Sequence, residues 1–93
     1  MSFEYVLRGK YSPDKNPNVN AVEPVHLLVR LDLDALQSET ETMSKVKRLY
    51  LKEIWQDKGR VDWDSYWPLA SPPSEQDGPP LITFFGVTVY SLS

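Results

Sequence analysis

Three groups of side chains have the types and spacings to do chemistry. The first is His26 with Asp32 and Asp34. His26 is the single histidine. Imidazole titrates near neutrality, so His26 paired with Asp32 or Asp34 is the combination a small enzyme or ligand carrier would use. Asp32 and Asp34 are also a pair of oxygen donors for a divalent cation. Such a cation wants six or more oxygens, and the Gly and closing Glu of a calcium loop are missing. Nothing is spaced to act as a nucleophile, so the expectation is a non-enzymatic chain with no catalytic residues, no metal and no cofactor.

The second group is Lys45, Arg48 and Lys52, spaced three and four apart, with Lys47 nearby. On a helix these share one face and form a candidate basic contact surface for an acidic partner or for nucleic acid. The bland alternative is a solvated helix face.

The third group is Trp63, Tyr66 and Trp67, flanked by Asp62 and Asp64. Trp and Tyr are over-represented at interface hot spots because they bury much area at little rotamer cost. With the aspartates as a polar rim, these five are the expected partner-binding residues. The competing expectation is that the rings fold back on the exposed side of the sheet, against Ile82, Phe84 and Tyr90.

Composition narrows the classes further. The chain has no cysteine, which excludes disulfides, thiolate metal sites and a Cys nucleophile. Its 10 Lys and Arg against 13 Asp and Glu give a net charge of -3, so nucleic acid is not the expected partner. No apolar run approaches the length of a membrane span. Met1–Arg8 has no basic start leading into a long apolar core, so a cytoplasmic location without membrane attachment is expected. With 93 residues, one small domain is expected.

The elements that must position these groups follow from periodicity. Phe3–Tyr11 alternates, with Phe3, Tyr5, Leu7 and Tyr11 on one side, and reads as a first strand. Pro13, Asn16, Pro17 and Asn18 then supply turn chemistry. In Val25–Leu33 every odd position is apolar, while the even positions are His26, Leu28, Arg30 and Asp32, so a second strand buries one face. Ser38-Glu39-Thr40-Glu41 matches a capping box. It opens a helix over about 39–58 whose apolar stripe is Met43, Val46, Tyr50 and Ile54, widened by Leu49, Leu51 and Trp55. Lys58-Gly59 is the expected stop. Residues 61–80 read as a long aromatic and Pro-rich loop, and 81–90 as a last strand apolar on both sides, hence central.

The expected fold is therefore α+β, in the order β-β-α-β: a three-stranded, mainly antiparallel sheet with one helix packed on one face. The expected function is a small protein-interaction module, of phage or mobile-element derivation: an adaptor, an inhibitor, or an accessory subunit of a larger complex. A homodimer through a sheet edge or the apolar sheet face is an open alternative.

Overall fold

The computed structural model describes residues 2–13, 22–32, 38–69 and 77–92. Its elements are β1 (Ser2–Ser12), β2 (Glu23–Asp32), α1 (Glu39–Trp55), β3 (Arg60–Pro68), β4 (Asp77–Phe84) and β5 (Val87–Ser91). The α+β class holds, but the sheet has five strands, in the order β3-β1-β2-β5-β4, and all its pairs are antiparallel. Three strands were expected. The central strand is β2, and no segment of 81–90 is central.

The two extra strands come from two local irregularities. The first lies in β3. Gly9 pairs with Trp63 and Leu7 with Tyr66, so Asp64 and Ser65 together oppose Arg8. A bulge of this kind puts two residues where one is due and shifts the phase of the alternation. Val61 and Trp63 keep phase before it, and Tyr66 resumes on the same face after it. Read as a single series, the segment looks irregular.

The second is the turn between β4 and β5. Phe85 has φ 34° and Gly86 φ 79°, the two successive positive values of a tight hairpin turn. Phe84 pairs with Val87 and Ile82 with Val89. The two turn residues reset the parity, so Ile82, Phe84, Val87 and Val89 all lie on one face. The segment is one-sided twice, not two-sided once.

The core lies between that face and α1. Tyr5, Leu7 and Tyr11 of β1, Val25, Leu27, Val29 and Leu31 of β2, Ile82 of β4, and Val87 and Val89 of β5 are buried against Met43, Val46 and Tyr50 of the helix. Each such aliphatic side chain contributes about 1.5–3 kcal/mol on leaving water. Three aromatic pairs complete it. Tyr11 stacks on Trp55 with centroids 3.6 Å apart, and edge-on contacts join Tyr50 to Trp63 at 5.7 Å and Tyr5 to Tyr66 at 5.9 Å.

The helix starts where the capping residues require. Ser38 Oγ accepts from the Glu41 N–H at 3.2 Å, and Glu39 and Glu41 sit at the positive end of the dipole. It ends earlier than expected, at Trp55, with Gln56 in the left-handed region at φ 56° and Asp57 N–H returning to Leu51 O. Gly59 serves a different purpose. Its φ is 72°, and a Cβ there would lie 2.1 Å from Ser12 O, so glycine is needed where the chain enters β3 against the end of β1.

Candidate functional site

Alternation sends the other half of each strand to the face that carries no helix. Cross-strand pairing arranges these residues in rows. The central row is Trp67, Val6, Leu28 and Tyr90, one residue from each of β3, β1, β2 and β5. On one side runs Glu4, Arg30 and Thr88. On the other, Arg8 pairs with His26.

Val6 is 4 % exposed and Leu28 fully buried, although among the described residues no helix lies over them. Their row neighbours are the rings of Trp67 and Tyr90. The Arg8 guanidinium sits 5.9 Å from the Trp67 centroid, and that of Arg30 5.2 Å from Tyr90. Arg30 Nη1 also donates to the Tyr90 hydroxyl at 3.4 Å, and Arg30 Nε pairs with Glu4 Oε1 at 3.6 Å. The face is thus two buried aliphatic side chains flanked in their row by aromatic rings, each ring with a guanidinium beside it. Of its two rings Trp67 is the exposed one, at 38 %.

The partner-binding residues expected from sequence divide between two faces. Trp63 and Tyr66 point to the helix side, half-buried and packed on the core through Tyr50 and Tyr5. Trp67 is on the open face. Asp62 is exposed across from Lys10. Asp64, in the bulge, helps line a cleft of about 540 Å³ together with Arg8, Lys10, Pro24, His26 and Leu92. The segment that was expected to be a loop is a strand over 60–68, and its Pro-rich part at 70–76 lies outside the described residues.

His26 faces Arg8, and burial together with that guanidinium pushes its imidazole below the usual value, toward the neutral form. Asp32 lies six residues along the same strand, about 20 Å away at the rise of a strand. His26 and Asp32 therefore cannot act as a pair. Asp34 lies outside the described residues. Among the described residues no three His, Asp or Glu side chains stand close enough to hold a metal ion.

The basic residues Lys45, Arg48 and Lys52 are all exposed on α1, on the side away from its buried stripe. Lys45 Nζ leans toward the β4–β5 hairpin, 5.7 Å from each of the Phe84 and Phe85 rings. Burial and the hydrogen-bonded Glu39 carboxylate push the Tyr5 hydroxyl up, and burial does the same to Tyr50.

Residue-type reasoning missed Val6, Leu28, Arg8, Arg30 and Tyr90 as a group. One signal for them was present: Val6 and Leu28 are the two apolar interruptions in otherwise polar alternate positions, and they are cross-strand partners. The class the fold defines is an antiparallel α+β domain in which, among the described residues, one sheet face is covered by a helix and the other is not. No family model, curated protein or solved structure matches the chain. Among the described residues no helix is long and apolar enough to cross a membrane.

Proposed function

We propose that the chain is a small non-enzymatic protein-interaction module, acting as an adaptor, inhibitor or accessory subunit, and that its contact surface is the open sheet face around Trp67. The observation that carries this reading is the row Trp67–Val6–Leu28–Tyr90 with Arg8 and Arg30 over its rings. Trp, Tyr and Arg are the three residue types most enriched at hot spots. Here they are held on paired strands of one sheet, which lowers the entropy cost of binding.

Charge argues for protein over nucleic acid on this face. Arg8, Lys10, Arg30 and Arg60 are balanced one for one by Glu4, Asp32, Asp62 and Asp64, whereas phosphate binding needs a cationic surplus. The test is affinity capture from the native cell with the wild-type chain and with Trp67→Ser plus Arg8→Glu, each checked by circular dichroism. Species captured by the wild type and lost from a folded double variant support the reading. An unchanged captured set overturns it.

A further inference from the structure

We infer that the β4–β5 hairpin tip and the basic side of α1 form one docking surface, with Phe85 as its anchor, for a partner protein that offers an apolar socket with an acidic rim. This rests on the reading of the chain as an interaction module and names a second surface on it.

Phe85 occupies the first position of the turn at φ 34°, a region that Gly, Asn and Asp enter readily and a bulky side chain does not. Its ring gains little from the fold in return, being 88 % exposed. A scattered exposed apolar residue is ordinary. A large ring held on a disfavoured backbone, at the tip of a hairpin and outside the core, is the kind of local strain that accompanies contact sites.

The surroundings define the partner. Lys45 brings its ammonium to both phenyl rings, so the ring pair and the charge belong to one patch. Arg48 and Lys52 extend the same exposed line along the helix, over about 10 Å at the rise of a helix. The ion pairs found among the described residues are Glu4–Arg30 and Arg60–Asp62, neither of which involves the helix. Glu41 and Glu53 are the exposed acids bordering the stripe. What complements a projecting ring beside a row of three cations is a pocket rimmed by carboxylates, which supplies burial for the ring and opposite charge for the row.

The test is site-specific photo-crosslinking in the native cell. A benzophenone amino acid is placed at position 85, at position 67, and at exposed position 58 as control. An adduct to one protein from position 85, absent from 58, is expected. It should fall at least tenfold when Lys45→Glu, Arg48→Glu and Lys52→Glu are combined in a chain that retains its circular dichroism. The crosslinked site should map beside carboxylates on the partner. No adduct from 85, an adduct indifferent to charge reversal, or an adduct to lipid or nucleic acid would overturn the proposal. An adduct from 67 without one from 85 overturns this surface alone, whereas none from either position overturns the interaction reading as well.

Discussion

Replacing Phe85 by Asn should make the protein more stable, although it deletes a large apolar side chain. A non-glycine residue in the left-handed region costs about 1–2 kcal/mol, and Asn escapes much of this because its side chain bonds to the local backbone. At 88 % exposure the ring has only about an eighth of its area to lose, or about 0.3 kcal/mol. Its contact with the Lys45 ammonium is exposed and worth about 0.5 kcal/mol, part of which survives through Phe84 at the same 5.7 Å distance. The balance is a gain of about 0.5 kcal/mol. For a domain of this size that raises Tm by about 2–4 °C. Phe85→Ala separates the terms, because it loses the ring but keeps the backbone cost, and should fall slightly below the wild type. Thermal and urea denaturation followed by circular dichroism measure all three chains. Phe85→Asn at or below Phe85→Ala would refute the reasoning, since the ring would then be supporting the hairpin.

Other perturbations probe the two faces and the core. Trp63→Ala should cost about 3–4 kcal/mol, as a ring packed on the core, and Trp67→Ala about 2 kcal/mol, since its ring is 38 % exposed; a larger loss for Trp67→Ala than for Trp63→Ala in urea denaturation would contradict the division between faces. Gly59→Ala should cost more than about 2 kcal/mol, since it meets both a positive φ and Ser12 O; a near-neutral effect on the urea midpoint would mean the strand entry can move. His26 has its folded-state value lowered below the ordinary value of about 6.5, so the unfolded chain binds more protons in that range. Its contribution is full above about pH 6.5 and is lost as the pH falls through the folded value; His26→Gln should flatten that part of the stability–pH curve, and an unchanged slope would exclude His26 as its source. The phenols of Tyr5 and Tyr50 are shifted up, so stability should decline above about pH 10 as the unfolded chain ionises first, and a spectrophotometric titration should find two tyrosines that ionise late.

Local physics was legible in the amino-acid sequence wherever it acts over a few residues. The alternation of Val25, Leu27, Val29 and Leu31 identified a strand buried on one face, and the order of Ser38 and Glu41 placed the helix start. Spacing likewise separated Met43, Val46 and Tyr50 from Lys45, Arg48 and Lys52. Parity across an irregularity is another matter. The Asp64–Ser65 bulge and the Phe85–Gly86 turn each change which face the next residue joins, and whether a residue counts once or twice depends on its partner strand. That is why two strands were hidden, and why Trp63, Tyr66 and Trp67 read as one cluster.

The candidate contact face shows the same limit. It draws on Val6, Leu28, Trp67 and Tyr90, residues far apart in the chain that meet only through register. Each is unremarkable alone: an aliphatic in a polar position, or an aromatic on a strand. His26 and the Asp32–Asp34 pair illustrate the converse. Their residue types suggested chemistry, but an extended strand holds His26 and Asp32 about 20 Å apart, beyond contact. Residue type and short-range period settled β1, β2 and α1 and which side of each is apolar, because within those elements the period is unbroken and depends only on neighbours in the chain. Pairing across the sheet decided which segments became neighbours, which side each ring faces, and which face was left without a helix, because those depend on contacts that no local window contains.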